Sequence, residues 1–163
     1  MVNIKDEAGL GLGEVVVSLS GGEQNYRTNQ QTGENGSISF LALAPGEYFI
    51  KPMLKEYEFQ PKNKLITITE GTEEVIEIVA NRVAVSVFGT LVGLKGDPEP
   101  GVTLEVVGEG DGCRGHQEEA TTVTGTGAFR IRGLKRNCEY RLENFLLYFS
   151  RELQRLFLDK LLL

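Results

Sequence analysis

One pattern occurs twice in this chain, and that repetition constrains the fold more than any other feature. The stretch TGENGSISFLALAPGEY, from Thr32 to Tyr48, matches TGTGAFRIRGLKRNCEY, from Thr124 to Tyr140. Within it Gly36 answers to Gly127, Ile38 to Phe129, Phe40 to Ile131 and Leu43 to Leu134, each pair 91 positions apart. Upstream, Val15, Val17 and Leu19 answer to Val102, Leu104 and Val106 at a spacing of 87. The difference of four is absorbed by an insertion in the Gly/Asp-rich stretch before Thr121. The chain is therefore two copies of one unit, residues 1–82 and a second copy starting at residue 83.

The local pattern inside each copy sets the fold class. Apolar residues alternate with polar ones in short runs: Val15, Val17, Leu19; Ile38, Phe40; Leu65 to Thr69; Val75 to Val79; Ala84 to Phe88; Phe129, Ile131. A period of two puts one set of side chains on one face of a strand. Glycine, 20 of 163 residues, punctuates these runs against a usual share of about 7%, and the spacing predicts an all-β sandwich or barrel. No helical stripe interrupts it before residue 144. Pro45-Gly46 reads as a tight turn, and Arg136-Asn137 takes its place in the second copy, Asn tolerating a left-handed backbone. Tyr48 and Tyr140 open the following strands, where a ring can bury its face and keep its hydroxyl in water.

Charge and motifs exclude several functions. Seventeen basic against 23 acidic side chains give a net charge of −6, which repels phosphate backbones and argues against nucleic acid as a partner. No apolar run is long enough to span a bilayer, and the MVNIKDEAGL start is no signal peptide. Gly110-Asp-Gly-Cys-Arg-Gly115 fits G-x-G-x-x-G, but a strand-like HQEEATTVT follows it where a dinucleotide site needs a helix. His116-Gln-Glu118 lacks the P-C-x-x-C half of a zinc deaminase, and a lone histidine in a polar loop reads as solvated. Glu109, Asp111, Glu118 and Glu119 have no Ca²⁺-loop spacing. No second histidine or nucleophile elbow supports a triad. No enzyme, no cofactor and no metal site is expected.

The motif G-x-Φ-x-Φ-x-x-L-x-P-G-x-Y, with Φ apolar, resembles the prealbumin-like, carboxypeptidase-regulatory-type β-sandwich that is also grouped with carbohydrate-binding-like folds. More closely, VSLSGGEQNYRTNQQTGENGSISFLALAPGEYFIKPMLKEYEFQP and VFGTLVGLKGDPEPGVTLEVVGEGD…GAFRIRGLKRNCEY are similar to the nodal modulator family. The resemblance covers residues 2 to about 142, both copies in the same order. It implies two tandem seven-strand-type β-sandwiches, at 1–82 and 83–144, the second incomplete. It also implies a place in the lumenal array of an endoplasmic reticulum membrane protein. The implied partners are nicalin, a small multipass membrane protein, the Sec translocon and adjacent repeats of the same array. The implied role is to help insert multipass membrane proteins, as a scaffold rather than an enzyme. The alternative function is a carbohydrate-binding module, for which Tyr26, Tyr57 and Phe59 are the available sugar-facing aromatics; the chain has no Trp.

Three further expectations attach to the resemblance. Cys113, in the inserted loop, and Cys138, just before the Tyr140 strand, can meet at one end of the second sandwich. In an oxidising lumen they pair as a disulfide, in the cytosol they stay free, and the sequence leaves both open. Asn35-Gly-Ser37 is an N-glycosylation sequon and equally a hairpin-turn dipeptide, two readings that are compatible at an exposed turn tip. Residues 145–163 depart from the family pattern: Phe145, Phe149, Leu153, Leu156 and Phe157 fall at helical spacing opposite Arg151, Glu152, Arg155 and Asp159. The expectation is an amphipathic helix foreign to the domain, the tail of a truncated or alternatively ended product, with a membrane-surface helix as the other reading.

Overall fold

The computed structural model describes residues 1–144 and 161–162. These form two compact units, Met1–Val83 and Ala84–Leu163, and every regular element in them is a strand. The helix expected over 145–163 falls almost entirely outside the described residues.

The first unit is a two-sheet sandwich. One sheet has the order β4-β1-β8-β6, built from β1 (Val2–Asp6), β4 (Ser37–Ile38), β6 (Tyr57–Gln60) and β8 (Ile76–Arg82). The other has the order β3-β2-β5-β7, built from β2 (Val16–Gly21), β3 (Tyr26–Gln31), β5 (Gly46–Met53) and β7 (Lys64–Ile68). All pairs are antiparallel except β1 with β8. The period-two residues do what their spacing demands: Ile4, Val15, Val17, Leu19, Ile50, Ile76 and Ile78 fill the space between the sheets. Burying one face of each strand also fixes register, because a one-residue slip would turn every apolar side chain outward.

The second unit repeats the first with a different complement of strands. A sheet of order β11-β10-β13-β14 uses β10 (Thr103–Glu109), β11 (Gln117–Thr121), β13 (Glu139–Asn144) and β14 (Leu161–Leu162). A ribbon pairs β9 (Ala84–Thr90) with β12 (Ala128–Lys135). Its core holds Leu104, Val106, Ile131, Leu134 and Tyr140. Among the described residues no strand answers to β6 or β8. Leu161 stands opposite Tyr140, the register position that Ile66 of β7 holds opposite Tyr48 in the first unit.

The repeat extends to individual hydrogen bonds. Val2 faces Ile38 and Asn3 faces Ser37; Gly89 faces Phe129 and Thr90 faces Ala128, the same register 87 and 91 positions later. Ile4 N–H donates to Gly36 C=O and Leu91 N–H to Gly127 C=O, both at 2.8 Å. Gly36 (φ 75°) and Gly127 (φ 64°) are left-handed, and a Cβ on either would collide with the carbonyl of Ile4 or Leu91, which is why glycine recurs there.

One correspondence read from the sequence shifts. Thr32 aligns by pattern with Thr124, but its structural equivalent is Thr122. Thr32 Oγ1 accepts from Val15 N–H (3.1 Å) and donates to Leu12 C=O (2.8 Å). Thr122 Oγ1 accepts from Val102 N–H (2.8 Å) and donates to Glu99 C=O (2.7 Å). Both hydroxyls are buried and join the strand-entry backbone to the loop before it. The Thr-Gly dipeptide that suggested Thr124 belongs to the turn beyond.

Candidate functional site

A grouping of chemically capable side chains lies at one end of the second unit. β10 runs out at Glu109 into a loop with left-handed Gly110, Gly112 and Gly115, held by Arg114 N–H to Gly110 C=O at 3.1 Å. This is the G-x-G-x-x-G stretch, and β11, not a helix, follows it; no helix N-terminus is present to meet a phosphate. The loop is tied to the turn before β13 by a Cys113–Cys138 disulfide, Cα atoms 5.7 Å apart, with both cysteines buried. Asn137, beside Cys138, is left-handed at φ 62°, the conformation its residue type favours.

Next to this tie, Tyr140 Oη accepts from Lys135 N–H at 2.9 Å and lies 2.8 Å from His116 Nδ1. The other imidazole nitrogen lies 3.9 Å from Glu118 Oε1. His116 is thus half-buried and partnered, not the solvated loop histidine its setting suggested. Burial first, and the Glu118 charge less so, raise the Tyr140 pKa against the opposing hydrogen bond from Lys135. The two tyrosines also differ from expectation in where their hydroxyls go. Tyr48 donates to Ala44 C=O at 2.9 Å, so both phenols bond to protein. A buried ring cannot leave its hydroxyl unpaired, and the turn backbone four or five residues upstream is within reach.

No group of three or more metal-ligating side chains exists among the described residues. The acidic loop residues are spread over β10, the loop and β11, with Glu109 engaged by Arg141 at 3.3 Å.

The other sequence-selected residues separate. Asn35 sits at the tip of the turn that Gly36 N–H closes on Gly33 C=O, exposed, its Oδ1 accepting from Ser37 N–H at 3.0 Å. The sugar-facing set fails to assemble. Phe59 is 7% exposed and belongs to the first core, since it shares with Tyr57 the face of β6 opposite the exposed Glu58 and Gln60. Tyr57 packs on the same core, and Tyr26, 42% exposed, stands on β3 in the other sheet. No aromatic platform results. What sequence reading missed were Thr32, Thr122 and the His116–Tyr140 contact. The two threonines carry a legible signal, since both precede the repeated glycine turn; the histidine contact carries none.

The fold defines a class: a tandem-repeat β-sandwich protein of two units, each with its own core. Comparison with known proteins makes that particular. Residues 1–81 match the family model described as "BOS complex subunit NOMO1-like, second beta sandwich domain". The chain is 41% identical over 140 residues to BOS complex subunit NOMO3 of Homo sapiens, covering 86% of this chain and 11% of that protein. BOS complex subunit NOMO1 of Mus musculus gives the same figures. Nicotinic receptor-associated protein 4 of Caenorhabditis elegans is 40% identical over 131 residues, 78% of this chain and 11% of that protein. The chain belongs to the nodal modulator family, and it spans about a tenth of the length of the curated relatives it matches.

Proposed function

We propose that the two sandwiches act as a structural segment of a lumenal array in an endoplasmic reticulum membrane complex of the BOS type, spacing neighbouring repeats and offering surface to protein partners. The observation that carries this reading is the 41% identity to BOS complex subunits across 140 residues, which runs through both units rather than one. Proteins built of such repeats gain reach and rigidity by stacking units with their own cores, and both units here have one. The resemblance extends the reading to nicalin, a small multipass membrane protein and the Sec translocon as partners, and to assistance of multipass membrane protein insertion as the role. Asn35 at an exposed turn tip and the Cys113–Cys138 pair suit a lumenal setting, the first as a glycan acceptor and the second as a bond that an oxidising compartment maintains.

Cross-linking of the full-length parent in intact membranes tests the proposal. Adducts joining residues 1–144 to BOS or translocon components are the expected result, and their absence where the parent's other repeats do give them would overturn the assignment for this segment.

A further inference from the structure

The internal repeat separates what the Asn35 turn needs from what it carries in addition. In the first unit Asn35 Oδ1 accepts from Ser37 N–H at 3.0 Å, the side-chain-to-backbone bond of an Asx turn. In the second unit Thr126 stands 91 positions on, and its Oγ1 accepts from Ala128 N–H at 3.3 Å. One oxygen therefore closes either turn; neither an amide nitrogen nor a hydroxyl two residues later is required. The first unit has both. Asn35 is exposed, and among the described residues its Nδ2 has no hydrogen-bond partner. Asn35-Gly-Ser37 is also the one Asn-x-Ser/Thr sequon of the chain.

A sequon is defined by its third-position hydroxyl, so a transferase must reach that group as well as the amide. In the folded unit the hydroxyl is committed. Ser37 Oγ donates to Asn3 Oδ1 at 2.9 Å, and Asn3 Nδ2 donates to Glu77 Oε1 at 2.7 Å, a polar ladder across β4, β1 and β8. Between the two sequon residues, Gly36 N–H donates to Gly33 C=O at 2.9 Å and Gly36 C=O accepts from Ile4 N–H at 2.8 Å. This anchoring depends on β8. β4 meets β1 through two residue pairs, whereas β1 meets β8 through five, from Val2 opposite Ile76 to Asp6 opposite Ala80. A two-residue ladder does not hold alone, so Ser37 stays open until β8 has been made. That strand ends at Arg82, 47 residues after Asn35, which is roughly 2–9 s of synthesis at about 5–20 residues per second.

We infer that Asn35 is an N-glycan acceptor only while its unit is open, and that closure of the β4-β1-β8 pairing ends its reactivity. The inference rests on the lumenal placement proposed above. The donor is a lipid-pyrophosphate-linked oligosaccharide. Asn35 Nδ2 forms a bond to the anomeric carbon of the first sugar, and the bond from that carbon to the pyrophosphate oxygen breaks. The lipid pyrophosphate leaves, and one amide proton passes to a base of the transferase. The folded unit carries the product without rearrangement: Oδ1 keeps the Ser37 N–H, Ser37 Oγ keeps Asn3, and only the unpartnered Nδ2 is substituted.

Two experiments test this. In the first, the full chain, made without a glycan, is offered to purified oligosaccharyltransferase and its lipid-linked donor, both folded and as the core-breaking Val17→Asp variant. A gain of one glycan mass, removed by peptide N-glycosidase and absent from Asn35→Gln, is followed over time. The open variant is expected to be modified at least tenfold faster than the folded chain. Equal rates overturn the gate, and no modification of either overturns the acceptor. In the second, the full-length parent is translated into microsomes with Asn35 intact and Arg27→Thr added, which completes an Asn-Tyr-Thr sequon at exposed Asn25 as a control. Occupancy of each site is read by mass spectrometry, and a glycan on both is expected. A glycan at Asn25 alone overturns the inference and leaves the lumenal reading standing. A glycan at neither overturns the lumenal reading, and the inference falls with it.

Discussion

The hydroxyl of Tyr140 lies 2.8 Å from His116 Nδ1 while accepting the Lys135 amide, so one phenol links three segments at the end of the second unit. Its counterpart Tyr48 makes a single bond, to Ala44 C=O. Each net hydrogen bond contributes about 0.5–1.5 kcal/mol and an orphaned buried partner costs more. Tyr140→Phe should therefore destabilise its unit by about 1–3 kcal/mol, and Tyr48→Phe by about 1 kcal/mol. Urea denaturation of each variant, followed by a probe in each unit, measures both; equal costs would mean the His116 contact contributes nothing.

The same phenol gives an alkaline signature. Its pKa is raised above the ordinary 10.0, so the folded state favours the neutral form. The corresponding stability is complete below pH 10 and lost as pH rises through the elevated folded value. Stability measured from pH 8 upward should fall in the wild type with a component that Tyr140→Phe removes.

At the acid end the relevant group is Glu77. It accepts from Asn3 Nδ2 at 2.7 Å and pairs with Lys5 at 3.4 Å, across the parallel β1–β8 pairing. The Asn3 hydrogen bond first, with the Lys5 interactions, lowers its pKa from 4.5 against a desolvation that raises it. Its contribution is present above pH 4.5 and is lost as pH falls through the lowered folded value. Glu77→Gln should flatten that part of the acid titration of stability, and a titration unchanged by the substitution would show that β1–β8 pairing does not depend on the charge.

Thr32→Val and Thr122→Val keep shape and remove the hydroxyl that serves two backbone groups in each unit. Two buried groups left unpaired should cost about 2–4 kcal/mol in each case, and Ser at the same positions should restore most of it. Similar losses at the two sites, in paired denaturation experiments, would confirm Thr122 rather than Thr124 as the equivalent of Thr32.

The disulfide predicts a unit-specific redox effect. Cys113 and Cys138 are 25 residues apart, and closing a loop of that length stabilises by about 3 kcal/mol in the chain-entropy view. Reductant, or Cys113→Ser with Cys138→Ser, should lower the melting temperature of the second unit and leave the first unchanged.

Much of this architecture is legible in the sequence because period-two alternation and glycine turns act locally: Val15, Val17 and Leu19 are buried as their spacing requires, and Gly36 and Gly127 are irreplaceable for reasons a glycine announces. What escapes is contact between residues far apart in sequence. Nothing in HQE says that His116 meets Tyr140. Nothing near Phe59 distinguishes an exposed aromatic from a core one, because that depends on which face β6 turns toward β5. Thr122 is hidden by a more conspicuous Thr-Gly two positions on.

We propose that this segment works through its fold and surface. Cross-linking of residues 1–144 to complex partners, in a full-length parent, tests it in two variants. One carries Glu109→Gln, Asp111→Asn, His116→Asn and Glu118→Gln, which remove the polar constellation; the other carries Val17→Asp and Leu104→Asp, which break both cores. The account predicts wild-type adducts from the first and none from the second. Loss of adducts in the first with folding intact, or their retention in the second, would contradict it.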